Sequence, residues 1–65
     1  MNIYINGEAK QVQATTLAEL INELELQDKR IAVELNEQLI PKSRHAATML
    51  ADDAKIEIIQ AVGGG

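Results

Sequence analysis

The stretch "TTLAELINELEL" carries the one amphipathic helical stripe of this 65-residue chain. Leu17, Leu20, Ile21 and Leu24 recur at i, i+3, i+4 and i+7, which sets all four on one helix face, with Glu19, Asn22 and Glu23 on the other. Thr16 stands just before the stripe and Glu19 three residues after Thr16, the spacing of a capping box. The pattern predicts a helix over 17–26. A single stripe has to be buried against something, and the rest of the chain alternates as strands do.

Ile3 and Ile5 alternate with Asn2, Tyr4 and Asn6. Asn6-Gly7 then supplies the positive φ angles of a tight turn, so a hairpin is expected at the N-terminus, with Val12 continuing its second strand. Ile31, Val33 and Leu35 alternate with Ala32 and Glu34; Asn36-Glu37 reads as the next turn. Leu39-Ile40 begins a short return that Pro41 confines to a sheet edge. A short helical turn is expected to open at Ser43, and Ile56, Ile58 and Ile59 are the apolar members of a last strand. "QDKR" and "ADDAK" are polar connections. This order predicts an α+β fold in which a mixed sheet packs on one main helix. One sheet face then meets the helix and the other faces water or a partner. The expected division is a domain over residues 1–62 and a glycine tail over 63–65.

Chemistry of a catalytic kind has little to work with. A chain this short buries only about 60% of its unfolded surface, which leaves little room for a deep pocket. Phe, Trp and Cys are absent, so Ile, Leu, Val and Ala build the core, and neither a disulfide framework nor a thiolate metal site is expected. His45 is the single histidine and is expected at a surface or half-buried position. Asp52-Asp53 reads as a solvated turn and not as a cation site. Asn6-Gly7 and the terminal glycines make neither a dinucleotide fingerprint nor a P-loop. The net charge of −4 argues against nucleic acid as a partner. No apolar run is long enough for a membrane span, and "MNIYINGEAK" lacks the pattern of a signal peptide, so a cytoplasmic protein that is not an enzyme is expected.

Gly63, Gly64 and Gly65 follow directly on the last strand. Glycine carries no side chain to bury and loses the most entropy on ordering, so these residues contribute nothing to a core. Three residues reach about 10 Å beyond their anchor and make the narrowest tip a polypeptide can offer to a channel in another protein. An α-carboxylate at such a tip is a poor electrophile until a partner activates it.

The combination of "MNIYINGE", "IAVELNEQLIPKS" and "IEIIQAVGGG" resembles the ubiquitin-like β-grasp sulfur carriers, and among them the thiamine-biosynthesis carriers of the ThiS family. The resemblance covers the whole chain. It departs at His45, where the family usually has an aromatic residue, and at Asp52–Ala54, where a glycine usually stands between two acidic residues. The resemblance implies a ubiquitin-like β-grasp fold and a carrier role in thiazole formation. A ThiF-type adenylyltransferase would use Mg-ATP to convert the Gly65 carboxylate to an acyl adenylate. A persulfide-derived sulfur donor would turn that into a thiocarboxylate, and a ThiG-type thiazole synthase would take the sulfur. No bound cofactor is implied, and a tail already ending on Gly65 would need no protease to expose it. Alternation places Tyr4, Ala32, Glu34, Ile59 and Ala61 on the outward sheet face, with Tyr4 and Ile59 expected to form an apolar docking patch leading to the tail. The alternatives are a carrier for molybdopterin synthesis, a ubiquitin-like protein modifier, and a binding module with a disordered tail.

Overall fold

In the computed structural model, which describes residues 1–61, five strands and one α-helix follow in the order β1 (Asn2–Ile5), β2 (Glu8–Gln11), α1 (Leu17–Glu23), β3 (Ile31–Leu35), β4 (Gln38–Ile40) and β5 (Lys55–Gln60), with a 3₁₀ helix at Lys42–Ala47 between β4 and β5. They form one mixed sheet of spatial order β2-β1-β5-β3-β4. β1 and β5 run parallel, and β1–β2, β3–β4 and β3–β5 are antiparallel. The last strand therefore lies in the middle of the sheet.

The helical stripe does what its spacing predicts. Leu17, Leu20 and Ile21 are buried beside Ile3, Ile5, Val33 and Ile56 of the sheet, and Leu24 and Ile58 pack partly buried against them. The helix begins as expected. Thr16 Oγ1 accepts from the Glu19 N–H at 3.1 Å, while Glu19 Oε1 accepts from the Thr15 N–H at 2.8 Å, the Thr15 hydroxyl at 2.8 Å and the Thr16 N–H at 3.3 Å. Glu23 reaches back from the last turn to accept from the N–H groups of Gln13 and Ala14 at 3.1 and 3.0 Å. Two helix carboxylates thus satisfy the backbone of the crossover that leads from β2 into α1.

The helix stops at Glu23, three residues before its expected end at 26. Glu25 takes a left-handed φ of 59°, its N–H donates to Asn22 O, and the Leu26 N–H donates to Ile21 O. That pair of bonds is a Schellman motif, closed here without the usual glycine. Val12 also falls just beyond β2, although its N–H donates to Met1 O and its C=O accepts from the Met1 ammonium. His45 is buried, 8% exposed, with ring Nε2 3.0 Å from Ile40 O. The expected surface or half-buried position is thereby corrected: the 3₁₀ helix folds the ring in against the core, where a carbonyl satisfies it. The Asp52-Asp53 turn is pinned to β1, for Asp52 Oδ1 accepts from the Asn2 N–H and the Asp53 N–H donates to Asn2 O.

Both hairpin turns have two residues, and both residues of each have positive φ: Asn6 (51°) and Gly7 (84°), then Asn36 (50°) and Glu37 (71°). Such turns match the twist of the strands they join. No atom lies within 4 Å of where a Cβ on Gly7 would sit, so this position needs glycine for its φ angle and not for space. Glu37 holds the equivalent position with a side chain. Glu37→Gly is expected to raise stability by about 0.5–1 kcal/mol, the left-handed penalty less the extra unfolded-state entropy of glycine. Chemical denaturation checks this, and an unchanged or lower midpoint refutes it.

The capping box is expected to make stability depend on pH. Hydrogen bonds to the Glu19 carboxylate, from the Thr15 N–H first and then from the Thr15 hydroxyl and Thr16 N–H, hold its pKa below the ordinary glutamate value. The unfolded chain then binds that proton more tightly than the folded one. The contribution is fully present above the unfolded value of about 4.3 and is lost as pH falls through the lower folded value. Glu19→Gln should flatten this part of the acid-side decline in thermal midpoint; an identical pH profile in the variant would count against the assignment.

Candidate functional site

The residues expected on the outward sheet face are there. Ile3, Ile5, Val33 and Ile56 are buried toward the helix, which turns Tyr4, Ala32, Glu34 and Ile59 the other way. Tyr4 is 39% and Ile59 62% exposed, Ala32 and Ala61 are exposed, and Glu34 is half-buried. Gly63, Gly64 and Gly65 lie outside the described residues, and with them the expected acyl-bearing position.

Tyr4 and Ile59 do not make one patch. Tyr4 is in register with Lys55 and Ile59 with Ala32. Ile59 stands four positions beyond Lys55 along β5, roughly 13 Å at strand rise. Tyr4 lines a hollow with Gly7, Glu37, Lys55 and Glu57, at the hairpin-turn end of the sheet. Ile59 lines a different groove with Ala32 and Ala61, at the end where β5 leaves the sheet. Alternation assigns a residue to a face, but only strand register says how far along that face it stands.

Two further residues belong to this face. Leu39, 63% exposed, is in register with Glu34, so it lies beside it on the outward side. Ala32, Ile59 and Leu39 supply the apolar surface around β3. Glu57 is in register with Glu34 on the other side. Two carboxylates directly opposite on neighbouring strands destabilise a sheet. The sequence signal for Leu39 was its place in the return strand after Asn36-Glu37. Glu57 alternates with Ile56 and Ile58 and was equally legible as an outward residue.

The base of the tail is firmly anchored. Asn6, at the first hairpin turn, continues the ladder along β5 through its side chain: its Oδ1 accepts from the Ile58 N–H at 2.8 Å and its Nδ2 donates to Ile58 O at 3.2 Å. Asn36, at the second turn, accepts at Oδ1 from the Lys55 N–H at 3.0 Å, and its own N–H donates to Lys55 O at 2.7 Å. Beyond the last residue of β5, the Ala61 N–H donates to Arg30 O at 2.9 Å. Among the described residues, no group of three His, Cys, Asp or Glu side chains is placed to hold a metal ion, and no helix is long and apolar enough to cross a membrane.

Comparison with known proteins places this arrangement in a family. The model of the ThiS family matches residues 3–65. The chain is 30% identical to the sulfur carrier protein ThiS of Escherichia coli, with all of both chains covered. It is 38% identical to a thiazole synthase of Paramagnetospirillum magneticum, all of this chain matching 20% of that protein, so it spans a fifth of the length of that relative. Among solved structures, the crystal structure of the thiamine biosynthesis protein ThiS of Geobacter metallireducens superposes with a TM-score of 0.84, at 29% identity and full coverage of both chains. The mixed sheet on one helix is the ubiquitin-like β-grasp fold of these neighbours.

The opposed carboxylates generate a stability prediction. Glu57→Gln removes the like-charge pair and should stabilise the domain by about 0.2–1 kcal/mol at low salt. The gain should shrink as ionic strength rises and screens the pair. Denaturant titrations at low and high salt measure it, and a destabilised variant at low salt would show that the two groups do not repel.

Proposed function

The chain belongs to the ThiS family, and we propose that it is a sulfur carrier in thiamine biosynthesis, a protein co-substrate and not an enzyme, whose cargo rides on the Gly65 carboxyl. The family match that runs through residue 65, onto a strand anchored at the sheet centre, is the observation that carries this reading.

The proposed chemistry needs a partner at each step. A ThiF-type adenylyltransferase transfers AMP from Mg-ATP to the Gly65 carboxylate and releases pyrophosphate. The acyl carbon now bears a good leaving group. A persulfide sulfur attacks it, forming a C–S bond as the C–O bond to AMP breaks, and thiol cleavage of the remaining S–S bond leaves a thiocarboxylate. A ThiG-type thiazole synthase then receives that sulfur. Sulfur bound as an acyl group requires no cysteine in the carrier, and this chain has none. The thiazole synthase of Paramagnetospirillum magneticum, which contains a stretch matching this whole chain in a fifth of its length, supports that enzyme as the recipient.

The fold supports the reading through what it holds still. Gly63 and Gly64 give a narrow approach to Gly65, and the Ala61–Arg30 bond fixes where that approach begins. Any protein gripping the tail also meets the end of β5. We assign docking to the outward face, with Ala32, Ile59 and Ala61 nearest the tail, Leu39 and Glu34 beside them, and Tyr4 at the far end. Glu34 and Glu57, which repel each other in the free domain, are relieved by a cationic group on the partner.

Deletion of Gly65 tests the role of the tail. The truncated chain is expected to unfold at the same midpoint as the full chain. Incubated with an adenylating enzyme, ATP and a sulfur source, the full chain should gain the mass difference between one sulfur and one oxygen, and the truncated chain none. Sulfur transfer to thiazole from the truncated protein would overturn the assignment. Covalent adducts of the full chain on other proteins would point to a modifier instead.

A further inference from the structure

A groove of about 480 Å³ opens where β5 leaves the sheet. Its apolar lining comes from the end of α1 (Ile21), the Schellman turn (Leu26), the start of β3 (Ile31) and the outward face (Ile59). Lys29, Arg30 and Lys42 also line it, and no Asp or Glu does. That is half of the six Lys and Arg in a chain of net charge −4. The one ion pair among the described residues joins Lys10 to Glu8 on β2, so none of these three cations has a carboxylate partner there.

Distant parts of the chain build this concentration. The left-handed turn at Glu25 ends α1 early and leads through Gln27–Arg30 into the start of β3, and the Lys29 N–H donates to Leu26 O at 3.0 Å. The Arg30 carbonyl holds the Ala61 N–H. Lys42 arrives from the other side, as the first residue of the 3₁₀ helix. Among the described residues these like charges are brought together without a paired carboxylate, an arrangement that a negatively charged group of a partner would relieve.

We propose that this groove seats an acidic segment of the protein that handles the tail, its carboxylates on Lys29, Arg30 and Lys42 and an apolar side chain against Ile21, Leu26 and Ile31. The proposal rests on the carrier reading only in the identity of that protein; the complementarity stands on the groove itself. The segment carries negative charge because the rim is wholly positive, and it carries an apolar residue because the lining is apolar. Its place beside Ala61 lets a partner that holds the tail reach the groove at the same time.

Two measurements decide it. In the first, the full chain labelled with ¹⁵N is titrated with a synthetic peptide of alternating leucine and glutamate. The Lys29, Arg30, Ile31, Lys42 and Ala61 amides should shift in a saturable way. The shifts should vanish with the glutamine version of the peptide, and with the triple variant Lys29→Glu, Arg30→Glu, Lys42→Glu, whose folding is verified by its retained amide dispersion. Shifts confined to the Tyr4 and Glu57 side, or shifts unchanged by the triple variant, overturn the proposal. Binding that appears only after residues 62–65 are removed assigns the groove to this chain's own end and also overturns it. In the second, pyrophosphate release by the adenylating enzyme is measured against carrier concentration. The triple variant should raise the carrier KM about tenfold, as loss of complementary charges at an interface does, with kcat unchanged. An unchanged KM counts against the groove. Absence of pyrophosphate release with the unaltered chain defeats the carrier reading, and the titration then decides the groove by itself.

Discussion

The last strand is gripped along both edges. β5 lies between β1 and β3, parallel to one and antiparallel to the other, and buries Ile56 under the helix. Chain ends normally fray, because a terminal residue has neighbours on one side only. Here the strand nearest the C-terminus is central, so releasing it would separate β1 from β3 and open the core. The side chains of Asn6 and Asn36 extend that grip beyond the strand pairing itself, one on each side. A tail that follows such a strand starts from a fixed point. In the carrier role proposed above, the partner finds the three glycines by first docking the domain that bears them.

The grip is achieved with backbone strain. Among the described residues, five non-glycine residues hold positive φ: Asn6, Glu25, Asn36, Glu37 and Asp53. Asparagine at two of them is the residue that tolerates this region best, and both asparagines also spend their side chains on β5. Glu25 has no such advantage, and Asp53 shares only the tolerance. Each stands at a bend that sets up part of the functional end: Glu25 turns the chain toward Arg30, and Asp53 closes the turn that feeds β5. The left-handed φ of Asp53 (69°) is the backbone conformation that favours glycine, the residue the family resemblance leads one to expect in this turn. Asp52 offsets the strain in part by accepting from the Asn2 N–H at 3.0 Å.

Local chemistry was legible in the sequence, and non-local chemistry was not. The helix start, the positions of both turns and the inward and outward sets of the strands follow from local spacing, whereas the two-residue length of the first turn was left open by the sequence. The helix end was read three residues late, because Glu25 is an ordinary helix former and announces no stop. The burial of His45 depends on the 3₁₀ helix folding onto the core, which no neighbouring residue signals. The separation of Tyr4 from Ile59 is a matter of register between β1 and β5, strands some fifty residues apart in the chain, as the Tyr4–Lys55 pairing shows. The basic groove was invisible for the same reason as the register: Lys29 and Arg30 are one cluster in sequence, and Lys42 joins them only through the fold.

Charge is divided about the root of the tail in a way that would favour one orientation of the proposed partner. On the outward face, Glu34 and Glu57 stand opposite each other. Where β5 leaves the sheet, Lys29, Arg30 and Lys42 line a groove to which no Asp or Glu among the described residues contributes. Glu57 and Ala61 are four residues apart on one extended segment, roughly 13 Å, so a single partner surface spans both regions. Exposed charges of this kind add little affinity singly, but their arrangement selects a pose and speeds encounter. A partner with a basic spot over the glutamates and an acidic segment in the groove meets matching charge in one orientation, and like charge in the reversed one. The glycines carry no side chain by which they can be aimed. In the docking proposed above, the direction of delivery is set by the domain, through the paired glutamates on one face and the three cations of the groove.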